Sequence, residues 1–497
     1  MSCSSPALGL AGLLLAFGIS PATAQEATPS EAAQTGTRAT PIATAYPAKA
    51  AGDGAISSGY AESRWAEDWR GLADPAKRDD PLDRLKFLPL DPAGEVYLTL
   101  SGELRGRVNV FTNPGLHEAG HSREDLNRIF AGADLHIGPH FRIFGEMAHG
   151  GIAGRNIGTP SAALRNDLIV QQIFVEGKGI IAGADAGARY GRQEFADGST
   201  LLVSPRDNPT IRTVLDGARG WLRGSWLRAD IFDLNFVRGG AGGTGDDVTD
   251  RDQRFSGITI GVVLPQGWLG GSALYLEPFI WRSRHRTRQW GAIVEREERH
   301  FYGVRLWGDV GRLTLDWTAD RQDGRFGSRA IDAWQVFAAQ TLRLGHVSNA
   351  PRIGFHADYA SGGGVTGKGA LTTALSPYPN AIYYSYQGLI APTNLIALAP
   401  NFTASPAPRV RITAEHQFTW RAAADTAVYR VSGLPLAGTE LVPGYWVAGI
   451  TRLQAVWTIA PRVSITGRYE HHAAGKVLTR AGYSNSDYLA GWLSLRL

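Results

Sequence analysis

From Glu95 to the end of the chain, polar and apolar residues alternate with a period of two over segments of about ten residues. In Glu103–Val110, Glu103, Arg105, Arg107 and Asn109 fall on one face, and Leu104, Gly106, Val108 and Val110 on the other. The segment from Arg352 to Tyr359 sorts Arg352, Gly354, His356 and Asp358 from Ile353, Phe355, Ala357 and Tyr359. Arg312, Thr314, Asp316 and Thr318 alternate with Leu313, Leu315 and Trp317. Arg411, Thr413, Glu415, Gln417 and Thr419 oppose Val410, Ile412, Ala414, Phe418 and Trp420, with His416 on the apolar side. Arg462, Ser464, Thr466, Arg468 and Glu470 oppose Val463, Ile465, Gly467 and Tyr469. Each segment predicts a strand with one wet and one dry face.

Soluble sandwiches and membrane barrels both use such strands, and length separates them. Soluble strands usually run five or six residues, whereas a tilted strand needs about 9–11 to cross the hydrocarbon. The pattern predicts eighteen strands, near 96–110, 127–137, 140–150, 166–176, 186–194, 213–223, 226–237, 252–264, 270–284, 296–308, 311–322, 330–343, 350–361, 389–405, 409–421, 445–459, 462–472 and 486–497. An even count suits a single-chain bacterial barrel. Tight turns at 137–140, 223–226, 308–311, 405–408 and 460–461 alternate with long stretches at 111–126, 195–212, 238–251, 362–388, 422–444 and 473–485. Short inner turns and long outer loops give that rhythm. Tyr97, Trp307, Trp420, Tyr445, Trp446 and Tyr488 sit near strand ends, as an interfacial girdle requires. The fold class expected is an all-β, antiparallel up-and-down transmembrane barrel over 95–497.

The residues before it read differently. Ala7 to Ile19 is an apolar run of secretory length, and Ala22-Thr23-Ala24 supplies a cleavage pattern, so 1–24 reads as a signal peptide. Residues 25–58 read as a flexible lead-in and 59–94 as a periplasmic pre-barrel segment. Cys3 is the only cysteine, which excludes a disulfide scaffold. The formal charge of +4 on 497 residues is too weak to indicate nucleic acid. More telling is that only six of the 50 basic residues are lysine.

Several strings resemble the bacterial alginate export family from about Tyr60 to Leu497. They are Arg64-Trp65-Ala66-Glu67-Asp68-Trp69, Asp80 to Leu90, Tyr97 to Arg105, and above all Gly191-Arg192-Gln193-Glu194 followed by Leu202 to Pro209 and Arg212 to Gly217. Phe301 to Gly308 and Asn394-Leu395-Ile396 resemble later family strands, while the terminal Leu495-Arg496-Leu497 departs from the aromatic ending common in barrels. The resemblance implies an outer-membrane channel for an acidic polysaccharide or other anionic sugars. Outer-membrane lipid, the barrel assembly machinery and the sugar itself are then the partners, with periplasmic export proteins as further ones.

On the alternation, Arg105, Arg107, Arg142, Arg305, Arg312, Arg352, Arg411 and Arg468 face a lumen. A guanidinium stays charged and offers a planar donor fork that matches a carboxylate. Glu103, Asp316, Asp358, Glu415 and Glu470 share those faces and are placed to pair with neighbouring arginines across strands, and His356 lies on the same face as Asp358. Arg192, Glu194, Arg206, Asp207, Arg212 and Asp216 form a block that is a candidate for substrate contact or pore constriction, and the loss of period-two parity between Phe195 and Thr213 within it is consistent with a long loop folded inward. The plainer reading of every one is wall structure in a water-filled barrel. A general porin for small anionic or sugar solutes is the nearest alternative function. An enzyme inside the barrel would need a converging nucleophile, base and orienting group, and no spacing supplies them. No cofactor is expected. His117, Glu118 and His121, the glycine-rich 239–245 with Asp246, Asp247, Asp250 and Asp252, and His471-His472 read as solvated loop or interfacial residues rather than metal ligands.

Overall fold

The computed structural model describes residues 55–57, 59–265 and 273–497. The expected leader, and all of the lead-in but 55–57, lie outside the described residues. Eighteen strands form a closed antiparallel barrel: β1 Val96–Phe111, β2 Ser122–Ile137, β3 Phe141–Arg155, β4 Asn166–Ile181, β5 Ala184–Gln193, β6 Leu215–Arg223, β7 Leu227–Arg238, β8 Val248–Val263, β9 Ala273–Trp290, β10 Ile293–Val310, β11 Leu313–Phe326, β12 Arg329–Arg343, β13 Arg352–Ala360, β14 Leu395–Ala407, β15 Val410–Trp420, β16 Trp446–Ala460, β17 Val463–Ala474 and β18 Ser486–Arg496. Each strand pairs with its neighbour in sequence. β18 closes on β1, from Tyr488 against Phe111 to Arg496 against Glu103.

All eighteen predicted segments fall on observed strands. Leu104, Val108 and Val110 on β1 are exposed, and Glu103, Arg105, Arg107 and Asn109 are buried. The same exposed apolar face continues through Ile129, Ile143, Val175, Ile231, Ile258, Ile280, Trp317, Val336, Phe402, Leu453 and Leu493 around the wall. So large an apolar belt has one suitable solvent, the hydrocarbon of a bilayer. Placing arginine at Phe355 on this face is expected to lower folding stability in vesicles by about 2–4 kcal/mol. Urea titration monitored by heat-modifiable gel mobility reads it, and unchanged stability would mean that the faces are assigned the wrong way round.

The rhythm of short and long connections is broken at the inner end by the longer connections 264–272 and 344–351, and at the outer end by two tight hairpins. β9–β10 and β11–β12 meet at the outer end through two-residue turns, 291–292 and 327–328. Their strands compensate by length: β9 and β10 have 18 residues each, well beyond the ~9–11 that the hydrocarbon needs. The extra outward positions are charged, with Arg282 on Glu298, Arg286 on Asp252 and Arg321 near Asp332. These hairpins therefore stand above the apolar belt.

The interior differs more from expectation. Phe232, Phe255, Phe279, Trp281, Phe301, Phe326 and Phe337 point inward from β7–β12 and are buried. They form one apolar cluster with Phe195, Leu201–Val203, Leu371, Tyr378, Tyr383 and Tyr384, residues of the long loops 194–214 and 361–394. Both loops fold into the barrel. They join through backbone bonds Ser204 N to Tyr378 O (2.8 Å), Tyr378 N to Leu202 O (2.9 Å) and Asn380 N to Thr200 O (2.8 Å). On this side the inner face is packed rather than open: the aromatic cluster stands beside buried ion pairs such as Arg219 with Asp230 and Arg299 with Glu297.

Candidate functional site

The loop 194–214 leaves β5 and spans the interior toward β1, β2 and β17. Its tip, Pro205-Arg206-Asp207-Asn208-Pro209, meets five guanidiniums. Arg105 Nη1 lies 3.4 Å from Asp207 Oδ2, and its Nη2 donates to the carbonyls of Asp207 and Pro209, both at 3.2 Å. Arg128 Nη2 is 2.9 Å from Asp207 Oδ1. Arg212, on the loop itself, donates to the same oxygen from Nε at 2.7 Å. Arg107 Nη1 donates to Asn208 O (3.0 Å) and Oδ1 (3.2 Å), and Arg468 Nη1 to Asn208 Oδ1 (2.8 Å).

Charge balance follows from second contacts. Arg128 also holds Glu103 at 2.5 Å, and Arg212 holds Glu194 at 3.0 Å. Burial alone would raise the Asp207 carboxyl, but Arg128, Arg212 and Arg105 hold it well below the usual carboxylate range. Burial lowers the Arg206 guanidinium to about 10; its Nε donates to Pro379 O at 2.9 Å. Arg206 has φ +59°, in the left-handed region that a residue with a Cβ rarely adopts. Such a conformation persists where surrounding contacts over-determine it.

A second inward element comes from below. Arg64 is fully buried inside the barrel mouth, with Nη1 3.1 Å from Glu103 and Nε on Glu146. Arg142 Nη1 donates to Trp65 O (2.9 Å), and the Arg189 guanidinium lies 3.8 Å over the Trp65 ring. Ser63 Oγ donates to Glu194 (2.6 Å), and Arg212 Nη1 to Glu62 O (2.8 Å), so this segment touches the loop that carries the tip. The pre-barrel segment, expected to be periplasmic, thus reaches into the barrel interior through Arg64 and Trp65.

The remaining expected site residues separate into groups. Arg142 pairs with Glu176 at 3.1 Å. Arg305 binds Asp316 through two bonds of 2.7 and 2.8 Å and donates to Gly198 O at 2.8 Å. His356 pairs with Asp358 at 2.7 Å and neighbours Glu415, which Arg452 also holds. Glu470 accepts from Ser385 Oγ (2.8 Å), Gln387 Nε2 (3.1 Å) and Tyr386 N, anchoring the loop 361–394. Arg352 is exposed at the periplasmic rim, and Arg411 is half-buried near it.

Two residues are displaced from the expected place. Arg192 and Asp216 pair with each other (3.1 Å), but Arg192 stands in register with the exposed Ile173 and so lies on the outer face. The inward positions beside them are Gly191 (φ +134°) and Gly217 (φ +154°), directly opposite each other. A Cβ at either would stand 2.2 or 2.1 Å from a neighbouring carbonyl oxygen. The two glycines face the interior, and Arg192 and Asp216 face out beside the 239–247 loop, where Arg192 Nη2 donates to Asp247 O at 3.3 Å.

Arg128, Arg64, Arg189 and Arg452 were not anticipated. Arg128 alternates with Phe130 on its inward face, which hides a polar stripe; its cross-strand partner Arg105 is the signal that locates it. Among the described residues no group of three His, Cys, Asp or Glu is placed to hold a metal. Asp246 and Asp247 instead accept from Gly242 N (2.9 Å) and Gly240 N (3.0 Å) in their own loop.

With this geometry in hand, comparison with known proteins is informative. A family model described as alginate export matches residues 96–491. No curated protein matches the chain. Solved structures with the same fold include a BenF-like porin from Pseudomonas fluorescens Pf-5, 10% identical with a TM-score of 0.55, covering 83% of this chain and 99% of the porin. Pseudomonas aeruginosa OccK2 (OpdF), solved in complex with glucuronate, is 10% identical with a TM-score of 0.51, over 83% of this chain and 98% of that one. Pseudomonas aeruginosa OpdK, solved with vanillate, is 11% identical with a TM-score of 0.52, over 80% of this chain and 98% of that one.

Proposed function

The chain belongs to the alginate export family, and from that premise we propose that this bacterial outer-membrane channel passes anionic, uronate-bearing polysaccharide or its fragments along inward-facing arginines. The observation that carries the reading is the convergence of Arg105, Arg107, Arg128, Arg212 and Arg468 on one loop tip inside the barrel. A polyuronate presents one carboxylate per sugar, and each guanidinium fork fits one carboxylate. Conduction needs sites strong enough to admit the anion and weak enough to release it. A low-dielectric wall around fixed positive charge also disfavours cations.

A second reading, passage of small carboxylates, is favoured by the inward loops 194–214 and 361–394, which narrow the interior. The complexes of OccK2 with glucuronate and of OpdK with vanillate fit it, since both bound molecules are carboxylates. Swelling of liposomes carrying the channel, in uronate oligomers of graded length, separates the two readings. Entry that stops at the monomer supports the small-solute reading, entry of longer oligomers supports the polymer, and equal entry of neutral sugars removes both.

Charge reversal tests the arginines directly. Arg468→Glu is expected to move the reversal potential in a salt gradient toward cation preference, because it turns one fixed positive charge beside Asn208 negative. A reversal potential equal to that of the unmodified channel would assign Arg468 to the wall.

A further inference from the structure

We propose that the tip of the 194–214 loop is a built-in surrogate for the permeant anion: Asp207 fills a three-guanidinium site that an arriving sugar carboxylate takes over. The proposal rests on the transport reading above and specifies how its site is occupied at rest.

Asp207 carries the functional group that a uronate carries, and it sits where Arg105, Arg128 and Arg212 point. Those three contacts are unequal. The bonds within the loop, Arg212 to Asp207 Oδ1 at 2.6 and 2.7 Å, are shorter than those to the wall, Arg128 at 2.9 Å and Arg105 at 3.4 Å. This asymmetry decides whether exchange is possible. Breaking a buried ion pair is costly when it strands an uncompensated charge. Here Asp207 leaves the wall still paired with Arg212, and Arg212 is still paired with Glu194. Arg128 keeps Glu103. Of the arginines that hold Asp207, only Arg105 loses its carboxylate partner, which the incoming carboxylate restores; Arg107 and Arg468 exchange the oxygens of Asn208 for those of the sugar.

The backbone is arranged for release as well as for binding. Arg206 is held at φ +59° between Pro205 and the Asp207 contacts. Letting go of the tip relieves a backbone conformation that a residue with a Cβ disfavours. Asn208 adds a second layer: its side-chain oxygen takes donors from Arg107 and Arg468, as a sugar hydroxyl or ring oxygen would. Carboxylate and neutral oxygen stand on adjacent residues, much as they do on one sugar acid.

Glucuronate block of chloride current through single channels tests the idea. Asp207→Asn keeps the shape and removes the charge, so the half-blocking glucuronate concentration is expected to fall at least tenfold, with Asp207→Glu staying near the unmodified value. Block at one concentration in all three channels overturns the surrogate while leaving transport intact. Absence of block in every channel, each folded by heat-modifiable mobility, overturns the transport reading itself. A labelling measurement needs no change at Asp207. Thr210 is buried beside the tip, and the only native cysteine, Cys3, precedes the expected leader cleavage. In Thr210→Cys, glucuronate is expected to speed modification by a thiol reagent added from outside, whereas neutral glucose leaves the rate unchanged. Equal rates with and without glucuronate would sink the proposal.

Discussion

Excising residues 198–211 and closing the gap with a short glycine-serine turn will raise single-channel conductance several-fold. The graft is sterically simple, because Gln193 and Leu215 are register partners on adjacent strands. It removes the tip from Arg105, Arg107, Arg128 and Arg468 together, and deletes the backbone bonds that tie the loop to Tyr378 and Asn380. Eighteen strands enclose a lumen wide enough for water once it is unobstructed. The same deletion uncovers Phe232, Phe255 and Trp281, which pack against the loops. Thermal stability should therefore fall as conductance rises. Bilayer recordings paired with melting curves read both, and a conductance equal to that of the intact channel would show that the loop does not set the narrowest section.

The second large effect is on stability. Arg64→Ala is expected to cost about 3–5 kcal/mol, the usual penalty for removing one partner of a buried ion pair. Glu146 would keep the amide of Gln172, at 3.1 Å, in place of a guanidinium. Arg64 also stacks 4.2 Å over the Phe130 ring, and alanine loses that contact. The segment 60–69 should loosen from the barrel mouth, so limited proteolysis from the periplasmic side should cleave there before the strands open. Arg64→Lys keeps the charge without the fork that reaches Glu103 and Glu146 together, and should fall between the two. An alanine variant as protease-resistant and as urea-stable as its parent would mean that this segment contributes no holding force.

What the sequence revealed follows from which faces meet one solvent. Strands such as β1, β15 and β17 touch lipid on one side and polar contacts on the other, so their alternation survives intact. From β7 to β12 the period blurs, because Phe255, Trp281 and Phe301 point inward against loop side chains instead of water. No local pattern announces that a distant loop will cover them. The Arg192 and Asp216 reading failed for a related reason. Gly191 and Gly217 occupy the inward positions there because neighbouring backbone leaves no room for a Cβ, and a charge count along the motif does not reveal which parity it has. That the stretch around Asp207 is a long loop was legible from the break in periodicity, but Arg128 required knowing that β2 lies beside β1.

The closing seam has a consequence for assembly. Arg496 on β18 reaches Ala61 O (2.5 Å), Glu103 (3.5 Å) and Glu67 (3.9 Å), and Leu497 exchanges backbone bonds with Gly102. A slip of two residues between β18 and β1 would preserve which side chains face oil, so hydrophobicity alone would not detect it. It would, however, carry Arg496 several ångströms away from both acids and from Ala61. The join is thereby proofread by ion pairing, with the segment ahead of the first strand serving as the gauge against which the final strand is measured.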